Sequence, residues 1–340
     1  MKRNKIFLRS FFIAAVILLA GFFYYLPYYV TKPGMAKQLE PIIEVEGGYD
    51  EAGDFMLTTV RMGRANIYSY LTAKVSKFQE IYPVEEIRRE DETDEEYNVR
   101  QLHLMDTSKT AAIEVAYKKA GLPVDYEYRG VYVMNVLPDM PADGVLKAGD
   151  MITQVDHQKF KSSEEFISYV SKQKEGDTIT LAYKRGGESK EAEVSLKAFK
   201  DDPDKVGIGI SLVDDKEIKV EPEVSLNTEE IGGPSAGLMF SLEIYNQLTK
   251  EDLTRGYQIA GTGTISADGT VGRIGGIEQK IVAADKAGAE VFLAPNENGA
   301  AGSNYSEAAK TAEEIGTDMK IIPINTFEEA VDYLEGLEPK

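Results

Sequence analysis

The chain has 340 residues, a formal charge of −19 and no cysteine. Such a charge repels a phosphate backbone, so no nucleic-acid partner is expected. The absence of cysteine excludes disulfides, thiol catalysis and thiolate metal sites. His103 and His157 lie far apart and form no metal-ligand spacing, so neither a metal nor a cofactor is expected.

Lys2, Arg3, Lys5 and Arg9 precede an uncharged stretch over residues 10–31. About 20 apolar residues suffice to cross a bilayer, and a basic flank stays cytoplasmic. The expectation is a single transmembrane helix at 10–30, residues 1–9 cytoplasmic and the remainder extracytoplasmic. A cleaved signal peptide is the alternative, but its apolar region runs about 7–15 residues to a small-residue site. Here the exit is Tyr24-Tyr25-Leu26-Pro27-Tyr28-Tyr29. Residues 31–53 read as a linker.

Residues 54–60 read as a strand after a Gly/Asp turn. The acidic run at 85–96 reads as a solvated loop or helix start, and 107–120 repeats apolar residues at helical spacing until Gly121 and Pro123. This stretch is too poor in apolar residues to form a core alone. It is assigned with the C-terminal half to one domain, which requires a shared sheet or core.

From Arg129-Gly130-Val131-Tyr132-Val133 the chain alternates apolar residues, then turns through Pro138-Asp139-Met140-Pro141-Ala142 to Leu146-Lys147-Ala148-Gly149-Asp150-Met151-Ile152. Ser162-Ser163-Glu164-Glu165 opens a short helix, and two further strands flank Gly186-Gly187. This order resembles a PDZ domain, placed at 126–199. The resemblance implies capture of an extended peptide at a sheet edge, with Gly130, Val131, Tyr132 and Val133 as the binding strand.

Gly232-Gly233-Pro234-Ser235-Ala236-Gly237 precedes an apolar run, where a serine can simply cap a helix. Lys280 follows in Ile274-Gly275-Gly276-Ile277-Glu278-Gln279-Lys280. Helical spacing sets Lys280 on one face with Ile277, Ile281 and Ala284, so its amine is either buried, with a depressed pKa, or snorkelling to the surface. A neutral amine there can take the proton from a serine. Gly233-Pro234-Ser235-Ala236-Gly237 also fits a nucleophile elbow, but that fold needs a histidine after the serine, and both histidines precede it.

The two motifs, with Ala260-Gly261-Thr262-Gly263 between them, resemble the proteolytic domain of Lon proteases over residues 227–334. The resemblance implies Ser235 as nucleophile, Lys280 as general base and Thr262 as the residue that orients the lysine. Ala236 supplies a candidate oxyanion N–H at the helix start. No P-loop accompanies them, so an ATP-independent enzyme is expected. Anchor, split protease domain and inserted PDZ together resemble the PDZ-containing Lon-like proteases of Gram-positive bacteria.

The expected fold is α+β: a Lon-type proteolytic domain with an α/β core, formed by residues 54–125 and 200–340, interrupted by the PDZ domain and preceded by the anchor. The expected function is a Ser-Lys endopeptidase acting on peptides or unfolded proteins at the membrane's outer face. Lon-like domains often form rings, so a homo-oligomer is an expected partner state. A non-catalytic PDZ adaptor and an esterase using the same serine are the rival readings.

Overall fold

A computed structural model describes every residue except 1, 90, 91, 201, 229 and 230, and leaves aside the side chains of residues 2–10, 17, 203 and 204. The chain divides into two compact units. One comprises Met1–Asp91, Ser225–Asn227 and Ser235–Lys340; the other comprises Glu92–Val224 and Thr228–Pro234.

The first unit begins with helix α1, Lys2–Phe23. Among the described residues no helix is long and apolar enough to cross a membrane. The expected anchor falls in part on residues 10 and 17, whose side chains lie outside the described ones. The helix also stops before the expected boundary at 30. Pro27 lacks the N–H that a continuing helix needs, and the aromatic residues around it favour extended backbone. Strand β1, Tyr25–Gln38, therefore starts at once. Tyr29 and Val30 are buried in it.

The expected linker at 31–53 is likewise structured. Leu39, Ile43 and Val45 are buried, the last two in strand β2, Ile43–Val45. Strand β3, Asp54–Asn66, runs antiparallel to β1 and leads into helix α2, Ile67–Val75. Asn66 and Ser69 cap α2 reciprocally, each side chain bonding the other's backbone N–H. Strand β4, Glu80–Pro83, pairs with β1 at the edge.

The second unit opens with helix α3, Asp94–Lys119. The end of the acidic run is its first turn, where Thr93 and Glu96 form a capping box and Asp94 and Glu95 face the positive end of the helix dipole. Strands β5 (Val124–Val136), β6 (Met151–Val155), β7 (Thr178–Arg185), β8 (Glu188–Ser195) and β9 (Ile210–Val220) form a sheet in the order β9-β5-β6-β7-β8. Helix α4, Ser163–Val170, is capped by Ser162, whose Oγ accepts from the Glu165 N–H.

Val131, Val133, Ile152, Phe166, Ile179 and Leu181 lie at the centre of this unit's core. Each fully buried aliphatic side chain contributes roughly 1.5–3 kcal/mol. The Leu146-to-Asp150 turn is fixed by Asp150, fully buried, which binds Arg185 through two 2.7 Å hydrogen bonds and accepts from the Lys147 N–H. The bidentate geometry offsets the cost of burying that carboxylate. The boundaries differ from expectation: residues 92–125 and 200–224 belong to this unit, because α3 packs on β5 and β9 extends the sheet.

The chain then returns to the first unit. Helix α5, Gly237–Leu248, is followed by strand β10 (Gln258–Gly261), helix α6 (Ile277–Lys286), strand β11 (Val291–Pro295), helix α7 (Asn304–Ile315), strand β12 (Lys320–Ile324) and helix α8 (Phe327–Glu335). The sheet order is β12-β11-β10-β3-β1-β4. β10 lies parallel to both β11 and β3, with Asp54 opposite Gln258 and Leu57 opposite Gly261. The first and last parts of the chain thus share one sheet. Met56, Ala260, Ile277, Ile281 and Phe292 pack together on one face of it.

Candidate active site

Gly276 opens helix α6 in the left-handed conformation, φ +69°. A side chain there would approach Val60 Cγ1 to 2.7 Å, so glycine is needed for both its backbone and its size. From this start, Ile277, Lys280, Ile281 and Ala284 all face inward, and Lys280 is 2% exposed. Burial pulls the Lys280 amine down from its ordinary range to about 7.

Three oxygens surround Lys280 Nζ: Thr58 O at 2.7 Å, Ser235 Oγ at 3.0 Å and Thr262 Oγ1 at 3.0 Å. The structure thus brings Ser235, Thr262 and Lys280 together. Ser235 is half-buried and stands immediately before Ala236, the N-cap of α5. Its carbonyl accepts from Thr262 Oγ1 at 2.9 Å and from the Gly263 N–H at 2.9 Å.

These contacts settle the direction of each bond around a neutral lysine. The Thr262 proton is committed to the Ser235 carbonyl, so Thr262 Oγ1 accepts from Lys280. A carbonyl has only lone pairs, so Thr58 O accepts a second N–H. The amine's remaining lone pair then faces Ser235 Oγ. Once protonated, the ammonium has one N–H for each of the three oxygens.

Ala236 is buried at the start of α5, where first-turn N–H groups lack an intrahelical partner. Within the same first turn, the Leu238 N–H is used by Gly263 O. Both histidines lie in the second unit, where His103 stacks on Tyr132. Among the described residues no group of three or more histidine or acidic side chains is arranged to hold a metal ion.

Thr58 was not foreseen, because it acts through its main chain. Its own Oγ1 donates to Gly261 O at 3.0 Å, tying β3 to β10 beside the lysine. A backbone carbonyl carries no residue signature, and the sequence offered none.

Gly130, Val131, Tyr132 and Val133 do not form an open peptide-binding edge. They lie in β5, which pairs with β9 on one side and β6 on the other, and Val131 and Val133 are fully buried. A side chain at Gly130 would come 2.3 Å from Ile152 O. The outer strand on that side is β9, introduced by Val206-Gly207-Ile208-Gly209-Ile210. Its Asp214 accepts from the Ser163 N–H of α4, at 2.7 Å. The signal for β9 was visible as two glycines alternating with three β-branched residues ahead of a strand-like run.

Comparison with known proteins finds two families, whose matched ranges overlap over residues 174–196. Residues 108–196 match the PDZ domain family, and residues 174–335 match the Lon protease (S16) C-terminal proteolytic domain. The Lon protease of Xanthomonas oryzae pv. oryzae is 26% identical over 141 residues, 42% of this chain and 15% of that protein. That of Mycoplasma mycoides subsp. mycoides SC is 27% identical over 158 residues, 46% of this chain and 18% of that protein. The chain thus spans less than a fifth of the length of these two relatives. The crystal structure of the PDZ domain of an SdrC-like protein from Listeria monocytogenes is 49% identical, covering 26% of this chain and 90% of that one, with TM-score 0.24.

The fold and the site together define a Lon-type proteolytic unit joined to a PDZ domain. These matches support a PDZ-containing Lon-like protease.

Proposed function

We propose that the protein is a serine endopeptidase in which Ser235 is the nucleophile and Lys280 the general base. The observation that carries this reading is the buried Lys280 amine, depressed to about 7 and 3.0 Å from Ser235 Oγ, with its other N–H groups held by Thr58 O and Thr262 Oγ1. Lys280 takes the Ser235 proton as Oγ bonds to the substrate carbonyl carbon. The oxyanion is stabilised by the Ala236 N–H at the start of α5. Lys280 then gives its proton to the departing amine, leaving an acyl ester on Ser235. A water, deprotonated by the same lysine, hydrolyses that ester and frees Ser235.

Peptide-bond hydrolysis itself consumes no ATP, and no P-loop motif occurs in this sequence, which supports an ATP-independent reaction. The substrates are peptides or unfolded and flexible proteins. Strand β9 is the edge that adds an incoming extended segment, through main-chain bonds. Membrane attachment by α1, with the protease on the outer face, rests on the basic flank and the apolar stretch after it. Phe11, Phe12, Ile13, Leu18 and Leu19 each keep more than half of their surface exposed on this helix. Assembly into a homo-oligomer follows from the family likeness and is checked by analytical ultracentrifugation.

The decisive test is incubation of the detergent-solubilised protein with an unfolded protein, with and without ATP, beside Ser235→Ala. Cleavage lost in the variant and indifferent to ATP supports the peptidase. No cleavage by either protein overturns it in favour of a peptide-binding adaptor.

A further inference from the structure

Within the first unit, a cavity of about 640 Å³ opens between the segment around β2 and the second half of α5. Glu40, Glu44, Asp50, Glu51 and Glu243 line it, and no lysine, arginine or histidine does. Five carboxylates without a lining cation repel one another. Two of them are also short of partners.

Glu243 is fully buried on the inner face of α5. Its Oε1 accepts from Gln247 Nε2 at 2.5 Å, while Oε2 has no partner. Gln247 has nothing further to give: its Nε2 also donates to Ile43 O, and its Oε1 accepts from the Val45 N–H. Glu51 repeats the pattern, with Oε2 accepting from Asn246 Nδ2 at 2.7 Å and Oε1 unpartnered. Burial, joined by neighbouring acids, pushes both carboxyls well above their ordinary range. A buried carboxylate oxygen without a donor costs several kcal/mol, a cost that a bound proton relieves and that a cation carrying N–H donors can relieve in the proton's place.

We propose that this cavity is a recognition subsite for a cationic side chain of a polypeptide substrate, a lysine ammonium or an arginine guanidinium, whose N–H groups satisfy Glu243 Oε2 and Glu51 Oε1. The ligand is an organic cation rather than a metal ion. Among the described residues no three acidic side chains converge with metal-ligand spacing, whereas a guanidinium spreads its five donors over separated acceptors.

Placement on α5 relates the cavity to the reacting bond. Helix α5 starts directly after Ser235 and Ala236, and Glu243 lies about 10 Å further along its axis. An extended peptide covers that distance in about three residues. The subsite therefore selects a basic residue a few positions from the cleaved bond. This rests on the peptidase reading.

The test uses fluorogenic peptides that differ only in arginine against citrulline, its neutral isostere, at each position two to five residues from the cleaved bond. With the full-length protein, arginine at one position should raise kcat/KM about 10- to 100-fold, the value of a charged hydrogen-bonded pair. In Glu51→Gln and Glu243→Gln that ratio should fall toward one, with folding checked by circular dichroism. A ratio near one at every position in the parent protein overturns the proposal, as does a ratio undiminished in folded Glu51→Gln.

If no peptide is cleaved, the peptidase reading fails and the cavity is judged separately. Calorimetric titration of Ser235→Ala with Nα-acetyl-arginine amide should show binding that is lost in the Ser235→Ala/Glu51→Gln double variant. Absent binding, binding that survives Glu51→Gln, or binding of calcium alone overturns the proposal.

Discussion

Thr262 donates its hydroxyl proton to the main-chain carbonyl of Ser235, 2.9 Å away, and this makes its oxygen an obligate acceptor for Lys280. The threonine therefore acts twice: it holds the turn that carries Ser235 and it orients the Lys280 amine. Thr262→Val should lower kcat about 10- to 100-fold with little change in KM, as expected from losing one buried hydrogen bond worth ~1–3 kcal/mol. Thr262→Ser keeps the hydroxyl and should retain most activity. Steady-state kinetics on one peptide, with all three proteins, checks this; equal loss in both variants would point to packing instead.

Removing either partner of the Ser235–Lys280 pair should be far more severe. Ser235→Ala and Lys280→Ala should each lower kcat by a factor of about ten thousand or more, because the two groups act as a unit. Lys280→Arg should be equally inactive, since a guanidinium stays protonated and cannot serve as base. Lys280→Met fills nearly the same volume without a charge, so it should keep the fold while abolishing cleavage. Circular dichroism beside a casein digestion separates these effects.

The Lys280 amine at about 7 makes cleavage pH-dependent in a defined direction. Below that value the amine carries the proton it has to accept, so kcat/KM should rise with pH and level off above about 7. Stability shifts as well. An unfolded lysine keeps its proton to about pH 10.4, so between about pH 7 and 10 the unfolded chain binds one proton more than the folded one. Folding stability contributed by this site therefore rises through that window, at about 1.4 kcal/mol per pH unit. Below about pH 7 both states are protonated and the contribution is flat at its least favourable. Denaturant titrations of the parent protein and Lys280→Met should differ by this slope. Taking the difference removes the opposite trend from Glu51 and Glu243, whose raised pKa values weaken folding as pH increases.

Strand β9 carries a further expectation. A peptide ending in a free carboxylate should slow amide exchange across residues 210–220 and leave β8, the opposite edge, unchanged. Hydrogen–deuterium exchange with mass spectrometry reads both edges in one experiment. Protection at β8 alone would move the groove to the other side of the sheet. Val131→Asp should instead unfold this unit, by placing a charge in a fully buried core position.

The site was legible where side chains carry the chemistry. Helical spacing around Lys280 announced its buried face, and the glycine-flanked Ser235 preceded an apolar helix. Thr58 escaped because its contribution is a carbonyl brought in by β3 from the other half of the chain. The Tyr24-to-Tyr29 aromatics were read as the end of a membrane span. Both a bilayer interface and a buried strand favour such residues, and only pairing with β3 and β4 separates the two. The boundaries of the PDZ unit were misjudged for a similar reason: α3 and β9 join it through contacts distant in sequence. Glu243 left a clue, as the one charged residue in the mostly apolar run from Leu238 to Tyr245.

Lys280 and its acceptor Thr58 are 222 residues apart, and Asp54 bonds Gln258 across 204 residues. A chain emerging from the ribosome therefore exposes β3 long before its parallel neighbour exists. The second unit, whose strands are contiguous in the chain, is free to fold during that interval. Ser235, Lys280 and strands β10, β11 and β12 all lie in the last third of the polypeptide, so a product that terminates early lacks both residues and the closed sheet. Until synthesis is complete, the growing chain carries an unpaired strand edge that invites aggregation.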